Sequence, residues 1–378
     1  MQIIDILEHF PGEAYATGEL RSVMAPSLAR WGIDETFSDE FFVHLGVASR
    51  HMVVDPANPD RWWTAHRGRS PIAREGARCY QRLMDGRKPL GPRDRLIVVS
   101  NVYDTTSPGL GIGVLTALAT ENAGLVAPSL LQLGGDGCSG FISAMREADV
   151  WLHANPGTRV VILSCEVSSP YFWSPVLLET LESELAKADP AAQIGAKHRL
   201  RGLCIQRFLF GDGCVAAMCV DDDSPDGIPM SMFHRWTNLR PDDRDLLKLI
   251  GVGTEQSSYP TFGYFLQQPK ALIARLQADY LPRAARVLSA LGRRPRAFAV
   301  HTGSGPILDL VQARLSLTDD EIAPSRALLM SRGNLNSATG AAILASLRDK
   351  SDIFCVFFGV GFTLQIAGHD FSRDSAQA

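Results

Sequence analysis

The sequence predicts an α/β protein in which helices cover largely parallel sheets, laid out twice over in two halves. Three observations predict it. Almost continuous apolar runs, such as TRVVILSCEV at 158–167 and IFCVFFGVGFTL at 353–364, have the character of strands buried on both faces of a sheet. Segments with helically spaced apolar residues alternate with these strands, the order that builds α/β layers. The acidic, proline-containing stretch DDDSPDGIP at 221–229 interrupts the pattern midway, and the alternation then resumes. The halves are therefore drawn as residues 1–225 and 226–378. A chain of 378 residues, 46% of them hydrophobic, can fill cores of that size.

Taken in order, residues up to about 45 read as short helical patterns with acidic and polar breaks. FFVHLGVASRH, 41–51, reads as a strand or short helix ending in basic groups. Residues 52–72, with three prolines and the Trp62–Trp63 pair, read as an irregular loop. A helix is expected over 70–84, a strand over 94–101 and a helix over 109–119. Gly109, Gly111 and Gly113 make a partial dinucleotide fingerprint without the third correctly spaced glycine, which favours a helix-packing role. LLQLGGDGCSGFISAMREADVWLHA, 130–154, reads as a strand, a glycine turn, one cysteine and a helix. QRFLFGDGCVAAMCVDDD, 206–223, reads as two strands about a turn at Gly211–Gly213. The second half is expected to hold a strand near 249–253, helices over 268–291 and the strand AFAVHTG. Helices at 305–315 and 340–347 and the closing strand IFCVFFGVGFTL complete it.

Composition excludes several function classes. The net charge is −4, and no RNA- or DNA-binding signature occurs, so nucleic acid is not an expected partner. Nine histidines show no HExxH or comparable ligand spacing, so no metal is expected. The absence of a G-x-S-x-G elbow weighs against an α/β-hydrolase. Seven cysteines without a C-x-x-C pair fit reduced thiols in the cytoplasm. The segment MQIIDILEHF has two acidic residues and no basic stretch, unlike a secretory signal, and the longest apolar run is too short for a bilayer.

The chemistry-bearing residues lie in four places. Cys138 stands at the first turn of a helix, where unpaired amides and the helix dipole favour a thiolate. Its small neighbours Gly137, Ser139 and Gly140 leave room for a substrate carbonyl; a buried structural cysteine is the plain alternative. His301 ends an apolar strand before a glycine turn and is either structural or an imidazole partner for a cysteine. In SRGNLNSATGAAIL, Asn334 follows Gly333 in a tight turn, while Asn336 or Ser337 suits a helix N-cap. FFGVGFT, 357–363, is a Gly-x-Gly turn whose amides suit an oxyanion hole.

A cysteine elbow, a strand-end histidine and a Gly-Asn turn, in that order, resemble the thiolase superfamily. Within it they resemble the type III polyketide synthases and the ketoacyl-ACP synthase III group, from roughly residue 45 to the C-terminus. GCSGF resembles their nucleophile elbow and implies Cys138 as the acyl carrier. HTGSGP is similar to H-P-G-G-P and GNLNSA to G-N-x-S-S-A, which implies His301 and Asn334 as the second and third catalytic residues. FLFGDGCVAAM resembles F-G-D-G-A-A-A, with Phe210 matching a phenylalanine that gates the substrate pocket. FGVGFT resembles F-G-x-G-x-T, so the amide of Val360 is expected to pair with that of Cys138 as oxyanion donors. Thr302, Ser304, Asn336 and Val360 depart from the family pattern, and the basic cluster for coenzyme A is not recognisable, although Arg50 and His51 sit in its neighbourhood.

The resemblance implies a thiolase fold, two pseudo-repeated halves in a five-layered α/β/α/β/α sandwich, usually a homodimer. It implies a condensing enzyme that loads an acyl group on Cys138 and extends it by decarboxylative Claisen condensation with a malonyl thioester. Acyl-CoA or acyl carrier protein thioesters are the implied substrates, with no metal or redox cofactor. Two alternatives stand beside it: a thiolase-fold acyltransferase without decarboxylation, and a non-catalytic subunit of a heteromeric ketosynthase. Trp173, Phe262 and Tyr264 join Phe210 as aromatic candidates for the tunnel wall, each equally suited to core packing.

Overall fold

Two mixed β-sheets, six and four strands wide, carry the described chain. The computed structural model describes residues 1–66, 70–104, 107–122, 125–221, 227–237, 240, 248–250, 265–267, 271–360 and 363–369, with 248–250 and 265–267 as backbone only. Strand β1 (Gln2–His9) is followed by β2 (Glu13–Ala16), α1 (Thr17–Trp31), α2 (Asp39–Leu45) and β3 (Ser49–Met52). Helices α3 (Pro59–His66) and α4 (Pro71–Met84) lead to β4 (Arg95–Val99), α5 (Leu110–Glu121), β5 (Ser129–Leu133), α6 (Gly140–Ala154) and β6 (Val160–Glu166). Then come α7 (Ser169–Phe172), α8 (Pro175–Lys187), α9 (Pro190–Leu209), β7 (Gly213–Val220) and β8 (Ile228–Pro229). The remainder begins with β9 (Met232–Thr237), β10 (Lys248–Ile250), β11 (Phe265–Gln267), α10 (Ala271–Arg275), a π-helical turn and α11 (Leu281–Ala290). It closes with β12 (Ala297–Val300), α12 (Gly305–Leu315), α13 (Asp319–Arg332), α14 (Ala338–Ser346), β13 (Ile353–Gly359) and β14 (Thr363–Gly368).

The sheet orders are β5-β4-β6-β7-β1-β8 and β12-β13-β14-β9. In the first, β4 runs parallel to β6, and β7 is antiparallel to both β6 and β1. In the second, β12 runs parallel to β13, and β14 is antiparallel to both β13 and β9. The unit β4-β6-β7-β1 is thus repeated as β12-β13-β14-β9, strand for strand and direction for direction. The sheets are mixed rather than largely parallel. An apolar run reports burial on two faces and not strand direction; between β13 and β14 only three residues intervene, too few for a parallel crossover.

Alternate residues of each central strand enter different cores. Leu96 and Val98 of β4 pack with α4 and α5, whereas Ile97 and Val99 pack with Phe141 and Met145 of α6 and with Leu344 of α14. In β13, Phe354 and Val356 face the first kind of core, and Ile353, Cys355 and Phe357 the second. Helices α6 and α14 therefore lie between the two sheets, with α4 and α5 outside one and α12 and α13 outside the other: α/β/α/β/α. Small residues make this middle layer possible. A Cβ on Gly340 of α14 would stand 3.4 Å from the Phe141 ring of α6.

Three local readings change. Residues 2–9 form β1, paired with β7, because Ile3 and Ile6 are drawn into the middle core. Residues 59–66 are helix α3 rather than loop, with Pro59 starting it and the Trp62 ring 4.7 Å from that of His66 one turn on, tilted by 30°. Residues 206–209 are the end of α9 and not a strand. That helix starts from an Asp189 cap and Pro190 and buries Leu200, Leu203, Cys204 and Phe208 along its length. The expected strand near 249–253 is described only as β10, the rest lying outside the described residues. The glycines of α5 pack as expected: Cβ atoms at Gly111 and Gly113 would stand 3.0 Å from Leu130 and from Ala73. No helix among the described residues is long and apolar enough to cross a membrane.

Candidate active site

After β5, the turn at 134–136 passes into a 3₁₀ turn, Gly137–Ser139, and then into α6. Gly137 has φ +54°, and a Cβ there would lie 2.7 Å from the backbone nitrogen of Val360, so only glycine fits. Gly359 in turn rests against Asp136 and Ser139. The turn after β13 therefore sits directly on the cysteine elbow. Asp136 is held there by Arg235 of β9 at 2.8 Å and by Ser143 of α6 at 2.6 Å.

Cys138 is 9% exposed, and its sulfur meets the Asn334 carboxamide, 3.7 Å from Oδ1 and 3.8 Å from Nδ2. The Asn334 backbone explains that approach. Its N–H donates to Leu209 O at 2.8 Å, its carbonyl accepts from Gly211 N at 3.1 Å, and it forms a parallel bridge with Phe210. Phe210, 6% exposed and stacked on Phe172 at 5.0 Å, is thereby held beside Asn334. Asn334 Oδ1 accepts from Asn336 N–H at 2.8 Å, which leaves the amide NH₂ for the sulfur side.

His301 ends β12, its N–H donating to Val356 O at 3.0 Å and its ring edge-on to Phe357 and Phe358. A Cβ on Gly303 would stand 2.9 Å from Nε2, so the glycine turn clears that edge of the imidazole. Nδ1 is buried without a hydrogen-bond partner among the described residues, and burial pushes the imidazole down to about 4, so it is neutral near pH 7. No hydrogen bond joins His301 to Cys138 among the described residues.

The thiolate favoured on sequence grounds is not the resting form. Burial pushes Cys138 up to about 12; Asn334 and the residue's own backbone amide oppose the shift, and Glu166 adds to it. A helix terminus contributes about 0.3–1 kcal/mol, less than one pKa unit, whereas full burial moves a group by up to roughly 3–5 units. Burial wins. Cys138 rests as a thiol and His301 as a neutral imidazole, not as an ion pair.

A buried polar network behind the cysteine is missing from the sequence reading. Glu166, at the end of β6 and 0% exposed, accepts from Asn101 N–H at 3.1 and 3.2 Å, from Asn101 Nδ2 at 2.7 Å and from Ser337 Oγ. Ser337 is thus a ligand of Glu166 rather than a side-chain cap of α14, and Asn336 takes φ +54° instead. The available signal was an acid closing an all-apolar strand, since a charge there needs a partner.

Burial raises Glu166 from an ordinary 4.5 to about 7. A carboxyl raised on folding stabilises the protein fully below 4.5 and loses that contribution as pH rises through 7. Glu166→Gln is therefore expected to gain stability relative to wild type between pH 5 and pH 8, by about 1–3 kcal/mol. Urea unfolding of both proteins at the two pH values checks it; a constant difference would remove the buried charge as the cause.

Other candidates resolve differently. Trp173 is buried with the Arg207 guanidinium 4.6 Å above its ring, a packing role. Arg50 is fully buried, donating to Thr17 Oγ1, and cannot present its charge to a surface phosphate; His51 instead contacts Arg332 at 3.0 Å. Phe262, Tyr264 and Gly361 lie outside the described residues. All seven cysteines are free, and no group of three or more His, Cys, Asp or Glu among the described residues is placed to hold a metal ion.

No protein-family model matches the chain. Among curated proteins it is 26% identical over 257 residues to curcumin synthase 1 of Curcuma longa, covering 68% of this chain and 59% of that protein, less than two thirds of its length. It is 24% identical over 296 residues to a type III polyketide synthase of Penicillium soppii, covering 71% and 70% of the two chains. A solved fungal type III polyketide synthase superposes with TM-score 0.71 at 18% identity, covering 97% of this chain and 98% of that one. A type III pentaketide synthase from Neurospora crassa gives 0.70 at 17%, with the same coverage. The chain has the thiolase fold of the type III polyketide synthases. Its thiolase halves meet at α6 and α14, and it is at this seam that Cys138 and Asn334 come together.

Proposed function

We propose that this thiolase-fold chain is a condensing enzyme of the type III polyketide synthase kind, extending an acyl group on Cys138 by decarboxylative Claisen condensation with a malonyl thioester. The observation that carries the reading is the Asn334 carboxamide on the Cys138 sulfur, in a buried elbow overlain by the turn that carries Val360. The names of the relatives support it. As the sulfur attacks an acyl thioester, its proton passes to neutral His301 and then to the departing carrier thiol. The amides of Cys138 and Val360 hold the tetrahedral oxyanion. A malonyl thioester then loses CO₂, and the electron pair moves into its thioester carbonyl. His301 and Asn334 donate to that enolate oxygen; two uncharged donors suit a site that burial keeps neutral. The enolate carbon attacks the Cys138 acyl carbon, and the cysteine leaves as a thiolate that takes a proton from solvent, the one proton the overall reaction consumes.

Phe210 forms part of the pocket wall in this reading, the carrier is coenzyme A or an acyl carrier protein, and the halves divide at 225/226. The half-exposed edge strand β5, with its unpaired backbone groups, suits a homodimer. Intact mass spectrometry with acyl-CoAs, followed by malonyl-CoA and a CO₂ assay, tests the function; light scattering on the same preparation should read twice 41.2 kDa. Acylation followed by CO₂ release and a longer acyl product is expected. Acylation and transfer without CO₂ would replace the reading with an acyltransferase, and no acylation by any thioester would leave a non-catalytic subunit.

A further inference from the structure

We infer that Asn101 is a positioning residue that aims the backbone N–H of Cys138 at the acyl oxygen, an inference that rests on the condensing reading. Asn101 follows β4 and is 6% exposed. Its carboxamide engages both backbone groups of Gly137: Oδ1 accepts from Gly137 N–H at 3.1 Å, and Nδ2 donates to Gly137 O at 3.3 Å. In a planar trans peptide the Gly137 carbonyl and the Cys138 N–H share one plane and point in opposite directions. Holding the carbonyl toward Asn101 therefore turns the Cys138 N–H the other way. The same carbonyl accepts from Gly140 N–H within the 3₁₀ turn, and Asn101 adds a hold from another strand on a glycine whose φ of +54° leaves it alternative backbone conformations at little cost.

The clamp is itself anchored. The Asn101 N–H and Nδ2 both donate to Glu166, and Nδ2 also lies 3.2 Å from Asn336 Oδ1. Ser337 donates to the same carboxylate, so the elbow and the turn bearing Asn334 share one buried anchor. Asn101 acts on the acyl oxygen only through the Gly137–Cys138 peptide in this proposal. Its effect is on the direction of one N–H.

The test compares two reactions of Cys138 that differ in whether an oxyanion forms. Acylation by an acyl-CoA passes through a tetrahedral oxyanion, while alkylation by iodoacetamide is a displacement at carbon without one. For Asn101→Ala, single-turnover acylation followed by mass should fall about 30- to 100-fold. Half-saturation by the acyl-CoA and the iodoacetamide rate should each stay within about threefold, as expected when only the oxyanion contact is lost. The near-isosteric Asn101→Asp guards against simple misfolding. Its carboxylate cannot donate to Gly137 O, so acylation should be slow at pH 8 and recover as pH falls toward 6 and the acid regains a donor. Parallel loss of acylation and alkylation, or acylation within threefold of wild type, overturns the inference alone. A wild-type protein that no thioester acylates overturns the condensing reading, and the inference with it.

Discussion

Cys138→Ala is expected to abolish the acyl-enzyme: no thioester adduct should appear in the intact mass, and product formation should fall on the order of 10⁴-fold or more. The size of the effect follows from the isolation of the sulfur. Cys165, Cys214, Cys219 and Cys355 are each 0% exposed, so none can substitute. Cys138→Ser separates position from chemistry. A hydroxyl in the same place still meets Asn334 but is a poorer nucleophile, so a slowly formed ester is expected. Because the thiol rests near 12, acylation needs its proton removed during attack and not beforehand. Its rate should therefore lack the step at pH 5–7 that a preformed thiolate–imidazolium pair would give. An acyl adduct of undiminished yield on the alanine variant would reassign the nucleophile.

His301→Gln and Asn334→Ala are the second pair, and they should fail at different steps. In the proposed reaction Asn334 donates to the enolate only after acylation, so its loss should slow CO₂ release about 100- to 1,000-fold. Acylation should change by less than about tenfold, the residue's effect on the sulfur being the weaker opponent of burial. His301 accepts the thiol proton and later donates to the enolate, so His301→Gln should slow both, acylation by about 10²–10⁴-fold. Glutamine keeps an N–H donor, so CO₂ release from material already acylated should be the less damaged step. Rapid-quench mass for acylation and trapped CO₂ for decarboxylation read the two steps apart. If Asn334→Ala slows acylation as much as CO₂ release, its place is on the nucleophile and not on the malonyl carbonyl.

Much of the architecture was legible because its cues are local. The apolar runs of β6 and β13 announce two-sided burial, and the glycines around Cys138 mark a tight elbow. The cues that failed are those that depend on a distant partner. Residues 2–9 look polar enough for a surface segment and are a strand only because β7 lies beside them. Asn101 and Glu166 sit 65 positions apart, and each alone is an ordinary polar residue at a strand end; their bond exists only because β4 and β6 are neighbours.

By itself, the sequence determined the layered α/β class, the order of Cys138, His301 and Asn334 along the chain, and the glycines of the cysteine elbow. These are properties of residue type and spacing, which the chain carries wherever it goes. The tertiary structure decided the protonation states and the alignment. A thiol at a helix start prefers ionisation until burial removes the water that would solvate its charge. A glycine peptide can point several ways until a carboxamide from another strand holds it. Dielectric surroundings and long-range hydrogen bonds are made by packing, so only the folded chain contains them.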